Sequence, residues 1–405
     1  MAAAALVRPR ILDGPWRRLD ALLLVAIVCA AVQIVPLPTA WRAAVTPHAT
    51  IVEDSLRFDA RTINSRPISL NPVATLLSLG LFTMLLVAFV TARAALARGG
   101  IRTVVRTICW AGLVVSVLAV ALRPTSPDLL YGMWRPDEPG VKPFGPFINR
   151  NHMGTWLVLA LPLTLGYLAA RVTRRGSLTA AFDAALLWTA GAAAAMFAAL
   201  VVSLSRSAAI GVVAAAASGG LIAIGRYGRR SRGWLALAAV LAVTIAASLP
   251  VSSQLLTRFD NAKGDTGKRL RIWRETIPIV RDFPLTGVGL GAYRMAMIVY
   301  QRSDRAFFFN DAHDEYLQFA AEGGLLVCVP LALAALTAVA IMARRLREDR
   351  STGFWIRAGA VASLTGVAVQ SVWETGLEIP ANAVLFAVVC AIAIHEARDR
   401  SSAPR

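Results

Sequence analysis

Arg206-Ser-Ala-Ala-Ile-Gly-Val-Val-Ala-Ala-Ala-Ala-Ser-Gly-Gly-Leu-Ile-Ala-Ile-Gly-Arg226 carries no charge between its two arginines and only two hydroxyls. A helix of roughly 20 such residues spans about 30 Å, the thickness of a bilayer's hydrocarbon core, and satisfies its own backbone polar groups there. The segment reads as a membrane span over 207–225. Its alanines and glycines, like Gly191-Ala-Ala-Ala-Ala195 before it, are the small residues that let helices approach closely in lipid.

The rest of the chain repeats this pattern. Hydrophobic residues make up 57% of the 405 and charged ones 16%, too apolar for a water-soluble chain of this length. About ten spans are expected, near 19–37, 70–92, 103–122, 152–170, 180–204, 207–225, 233–250, 315–343, 354–373 and 380–396. The expected fold is all-α, a polytopic bundle divided into residues 1–250, a large loop at 251–314 and residues 315–405.

Arginine distribution orients the spans, because Lys and Arg are retained in cytoplasmic loops. Arg8, Arg10, Arg17 and Arg18 precede the first span, and every second loop is cationic: Arg93, Arg98, Arg102 and Arg106; Arg171, Arg174 and Arg175; Arg226, Arg229, Arg230 and Arg232; Arg344, Arg345, Arg347 and Arg350. The intervening loops mix signs, as in Asp54, Arg57 and Asp59 or Arg135, Asp137 and Glu138. Both termini are therefore expected on the cytoplasmic side, with 251–314 facing outward. The formal charge of +18 then has a topological origin and does not call for nucleic acid. Cys29, Cys109, Cys328 and Cys390 fall within expected spans, so no disulfide framework is expected, and the first span lacks a cleavage signature.

The outward loop concentrates the polar chemistry. Leu270, Trp273, Ile277 and Val280 recur at helical spacing with Lys268, Arg271, Arg274 and Arg281 between them, which predicts an amphipathic helix on the bundle or in the headgroup layer. Pro278 is expected to kink it, and Pro284, Gly287 and Gly289 to end it in turns. His313 stands at the mouth of the next span beside Asp314 and Glu315, placed either to accept a proton or merely to cap an interface. Glu315, Gln318 and Glu322 share one helix face, with Glu322 roughly 10 Å inward, where a carboxylate must face the interior. Glu322 or Glu315 is a catalytic candidate that would tune a reaction beside His313, the alternative for Glu322 being helix packing. Arg206, in the short Ser203-Leu-Ser-Arg-Ser207 connection, reads as a phosphate fork or a snorkelling interfacial cation. Arg269 by spacing alone is one solvated cation among several. Asn149, Asn151 and His152 gather before the fourth span, where Asn151 also suits a helix cap. No motif for a metal or a nucleotide phosphate occurs in the outer loops, so neither metal nor cofactor is expected and the donor should arrive activated.

The chain resembles the O-antigen ligase and polymerase family of membrane glycosyltransferases. The resemblance is carried by Gly145-Pro-Phe-Ile-Asn149-Arg-Asn-His152, Ser205-Arg206-Ser207, Arg269-Leu-Arg-Ile-Trp273 through Gly291, Ala312-His-Asp-Glu-Tyr-Leu-Gln318 through Glu322-Gly-Gly, and Gln370 through Asn382. It implies a polyprenyl-diphosphate-linked glycan as donor, a lipid or glycan acceptor and membrane lipids as surroundings. By resemblance Arg206 and Arg269 bind the diphosphate, His313 opens the penultimate conserved helix, and the product inverts. Asn149, Asn151, His152, Asp314 and Gln318 are then candidate substrate contacts. Two departures stand out: Asp314 where the family usually has Asn, and Gln370 and Glu374 where many members carry His and Asp.

Two rivals remain at this level. A polymerase joining repeat units would carry the same residues. A transporter is permitted by ten spans, though it would place ionisable groups near the midplane rather than at the outer end.

Overall fold

The computed structural model describes residues 9–56, 65–136, 143–176, 182–228, 256–303 and 308–396. The seventh expected span, 233–250, lies outside them, as do Arg8, Arg57, Asp59, Asp137, Glu138, Arg229, Arg230, Arg232 and the tail after 396. The described chain is almost entirely helical. In order come α1 (Arg17–Val32), strand β1 (Pro36–Pro38), α2 (Thr39–Val45), α3 (Ala49–Leu56), strand β2 (Ser65–Pro67), α4 (Pro72–Ala97) and α5 (Ile101–Thr125). There follow α6 (Arg150–Arg175), α7 (Ala184–Ser203), α8 (Arg206–Tyr227), α9 (Leu256–Asp282), α10 (Tyr293–Tyr300), α11 (Glu315–Glu348), α12 (Phe354–Gln370) and α13 (Pro380–Ile394).

Among the described residues six helices, α4 to α8 and α11, are long and apolar enough to cross a membrane. The all-α membrane bundle expected from hydropathy is thus observed. Three helices stop short of their expected spans, α1 at 16 residues, α12 at 17 and α13 at 15. Gln33 just past α1 and Gln370 at the end of α12 turn their amides to distant segments, while α13 starts at Pro380 as expected and ends at Ile394.

The chain divides into two compact units, one of residues 1–9, 88–255 and 341–405, the other of 10–87 and 256–340. In the first, α12 packs along α6 and α8. Small residues make that possible in reciprocal pairs. A Cβ on Gly166 would lie 2.4 Å from the Trp355 carbonyl and one on Gly359 2.6 Å from that of Pro162; Gly211 and Gly366 approach each other's carbonyls likewise. Ser363 adds a hydroxyl bond to the Leu159 carbonyl at 2.7 Å. Gly191 differs from this expectation, since its Cβ position opens on empty space.

In the second unit, β1 and β2 form a short antiparallel ribbon. Arg42 of α2, 2% exposed, is locked by a bidentate pair with Glu53 of α3 and by donation to the Pro67 carbonyl. A core of Ala49, Val52, Ile272, Ile279, Phe283, Val288, Ala292, Tyr293, Met297, Ala312 and Ala321 ties α3, α9, α10 and α11 together.

Candidate active site

The site of the second unit is built on a broken helix. At Gly324 the backbone of α11 turns to φ 53°, ψ −166°, which interrupts the ladder and orphans carbonyls before the break and N–H groups after it. The Pro284–Gly291 loop satisfies them. Val288 and Gly289 donate to the Ala321 and Glu322 carbonyls at 2.9 and 3.0 Å, while the Pro284 and Leu285 carbonyls accept from Leu325 and Leu326 at 2.9 and 2.8 Å. Non-helical backbone is tolerated at membrane depth only when buried in protein in this way. The fit requires glycines on both sides: a Cβ on Gly287 would lie 2.2 Å from the Glu322 carbonyl oxygen, and one on Gly324 2.4 Å from the Gly287 nitrogen.

Gln33, fully buried, locks this joint. Its amide donates to the carbonyls of Thr286 at 2.7 Å and Glu322 at 2.9 Å and accepts from the Leu290 N–H at 3.1 Å. Sequence reading passed over Gln33; a lone amide in Val32-Gln-Ile-Val35 was the available signal. Glu322 works at the same joint. It is 7% exposed, and its two carboxylate oxygens accept from the Gly291 and Tyr293 N–H groups at 2.8 and 3.1 Å, so it fixes the start of α10. The inward-facing carboxylate read from the sequence has backbone donors as its partners.

His313 lies at the mouth of α11 with φ 50°, in the left-handed region that costs a non-glycine residue energy unless its surroundings hold it. The residue before it is clamped on both sides. The Trp273 indole N–H donates to the Ala312 carbonyl at 3.1 Å, and the Ala312 N–H donates to Gln318 Oε1 at 2.9 Å. The residue after it, Asp314, caps α11 by accepting from the Leu317 N–H at 3.0 Å. Partial burial pushes the Asp314 carboxyl above its ordinary range, against the opposing pull of its bonds to the Leu317 and Tyr316 N–H groups. Glu315 and Gln318 are buried at 6% exposure, on the shared face predicted for them with Glu322.

Arg269 is half-buried on α9, one turn before Trp273. Side chains at i and i+4 are neighbours on a helix, so the Trp273 bond brings the Arg269 turn beside the His313 segment. The buried face of α9 corrects the expected stripe. Ile272, Thr276 and Ile279 point inward, with Phe283 just past the helix, whereas Leu270 and Ile277 are 43% and 39% exposed. The reason is Thr276, whose hydroxyl is satisfied by the Ile272 carbonyl and by the Tyr293 hydroxyl, both at 2.8 Å, and so buries like an apolar residue. Burial first, and nearby carboxylates second, raise the Tyr293 phenol far above its usual value. The helix runs through Pro278 to Asp282, whose carbonyl meets His48 Nδ1 at 3.1 Å.

The remaining candidates belong to the other unit. Arg206 is exposed at the first residue of α8, after Leu204 at φ 52° and the cap Ser205, whose Oγ accepts from the Ala208 N–H at 3.4 Å. Asn149, not Asn151 as expected, caps α6: its Oδ1 accepts from the Asn151 N–H at 2.9 Å, because the helix begins at Arg150, two residues before the expected 152. His152, in the first turn, lies 3.9 Å from the Glu374 carboxylate.

Residues 191–332 match the model of the family described as O-Antigen ligase. The matched stretch contains Arg206, Arg269, His313, Asp314, Glu315, Gln318 and Glu322, and leaves out Asn149, Asn151 and His152. No curated protein matches the chain.

Proposed function

We propose that this chain, whose residues 191–332 match the O-antigen ligase family model, is a bacterial membrane protein of that family that moves a glycan from a polyprenyl-diphosphate carrier to an acceptor hydroxyl on the outer face of the cytoplasmic membrane. The observation that carries this reading is the clamped, left-handed His313 with the Arg269 turn beside it. An imidazole held against its own backbone preference is typical of residues positioned for chemistry.

In the proposed step the acceptor oxygen attacks the anomeric carbon as the bond from that carbon to the diphosphate oxygen breaks. His313 takes the hydroxyl proton, and the carrier diphosphate leaves with the electron pair. Guanidinium groups match phosphate oxygens in a bidentate fork and bind them more tightly as leaving-group charge grows, which favours the transition state over the ground state. Arg269, beside the His313 segment, takes this part; Arg206 is a phosphate-binding candidate by family resemblance. Arg206 is exposed on the first turn of α8, where the helix dipole also favours an anion. A single displacement of this kind inverts the anomeric centre. Glu322 acts through the backbone of the glycine loop and is a positioning residue.

The test is the carrier-linked glycan of cells with and without the chain. Long glycan accumulating on the carrier without transfer supports the ligase reading, and a purified protein that moves labelled glycolipid across liposomes without altering it would overturn it. Carrier-linked glycan that stays at one repeat unit would identify a polymerase instead.

A further inference from the structure

A second polar centre lies in the first turn of α6 and the loop after α12, outside the stretch matched to the family. His152 Nε2 is 3.9 Å from Glu374 Oε1, the imidazole 20% exposed and the carboxylate 2%. A carboxylate so deeply buried is costly unless polar or cationic groups surround it. The frame around it is built from amides. Asn382 Nδ2 donates to the His152 carbonyl at 3.0 Å and the Gly376 carbonyl at 2.8 Å, and Gln370 Nε2 donates to Thr155 Oγ1 at 3.0 Å. Gly376 approaches α6 so closely that a Cβ there would fall 2.2 Å from Thr155 Oγ1. Two amide oxygens of the frame, Gln370 Oε1 and Asn382 Oδ1, are buried and accept no hydrogen bond among the described residues. Asn149 and Asn151 stand half-exposed in the same turn as the imidazole.

This donor and acceptor set selects its ligand. The exposed groups, the His152 imidazole and the half-exposed Asn149 and Asn151 amides, both donate and accept, as hydroxyl groups do, while the Glu374 carboxylate close behind the imidazole disfavours a phosphate. We propose that the centre binds the acceptor glycan through its hydroxyls, His152 making the contact and Glu374 acting behind it as a positioning residue. The inference rests on the glycosyltransferase reading and adds to it the place where the acceptor is recognised.

The experiment uses full-length protein in detergent, carrier-linked glycan purified from cells lacking the chain, and the glycolipid fraction of the same cells as acceptor, each varied in turn. His152→Gln and Glu374→Gln are expected to raise the acceptor concentration at half-maximal rate about tenfold, the size of one lost charge-assisted hydrogen bond, and to leave that of the donor unchanged. Glu374→Asp, which keeps the carboxylate, is expected to recover part of the loss; His152→Asn replaces His152→Gln should the latter fail to fold. An unchanged acceptor value, or a raised donor value, overturns the inference while leaving the transfer reaction intact. A wild-type protein that transfers nothing defeats the glycosyltransferase reading itself, and this inference with it.

Discussion

The indole N–H of Trp273 reaches 39 residues along the chain to the carbonyl of Ala312, 3.1 Å away, and so joins the helix of Arg269 to the residue before His313. Removing that one donor while keeping the ring isolates its part. Trp273→Phe is expected to lower transfer at least tenfold while costing stability only about 1 kcal/mol, the net worth of a typical hydrogen bond. Initial rates and thermal unfolding of the purified variant measure the two effects; a rate equal to wild type would separate Trp273 from His313.

His313→Ala removes the proposed proton acceptor. Loss of a general base typically costs 10²- to 10⁴-fold, and a loss in that range is expected here with normal insertion in the membrane. Near-normal glycan transfer by the variant would take His313 out of this role.

Arg206→Lys keeps the charge but loses the planar fork. We expect more than tenfold lower transfer, read from carrier-linked glycan accumulating in cells, and equal activity of the lysine variant would argue against a bidentate phosphate contact.

Glu322→Gln leaves one acceptor oxygen for the two N–H groups that the carboxylate now satisfies and turns an amide N–H₂ toward the other. A loss of about 1–3 kcal/mol in unfolding free energy is expected, with residual activity in the protein that remains folded. A fully stable but inactive variant would show that the carboxylate acts on substrate directly.

Asp314 makes a pH prediction. A carboxyl whose folded value is raised binds its proton more readily folded than unfolded, so its contribution to stability falls as pH climbs from the ordinary aspartate value near 3.9 through the raised one. Asp314→Asn keeps a good cap and removes that loss. Its unfolding midpoint is expected to match or exceed wild type at pH 7 and to change less as pH rises above the ordinary aspartate value of about 3.9; a lower midpoint at pH 7 would contradict the assigned cause.

Hydropathy alone was enough to locate the six long helices, because a stretch such as 207–225 has few other ways to satisfy its backbone in lipid. The spacing of Glu315, Gln318 and Glu322 likewise revealed their common buried face. Long-range hydrogen bonds were invisible to it. No periodicity links Gln33 to Thr286 and Glu322, or Gln370 to Thr155, since those partners are brought together by folding. Thr276 misled the reading of α9 in another way: its hydroxyl counts as polar in the sequence and is fully satisfied inside. Leu270 and Ile277, apolar by composition, lie on the exposed face.

The interruption of α11 at Gly324 also bears on how the chain is made. Residue 33 and residues 284–291, which hold the bend, are synthesised before Gly323 and Gly324. In lipid, each orphaned backbone group would cost several kcal/mol. A bent α11 is therefore stable only once docked, and biogenesis has a built-in order in which an early lesion at Gln33 would surface as a late failure, hundreds of residues downstream, to seat the helix that follows His313.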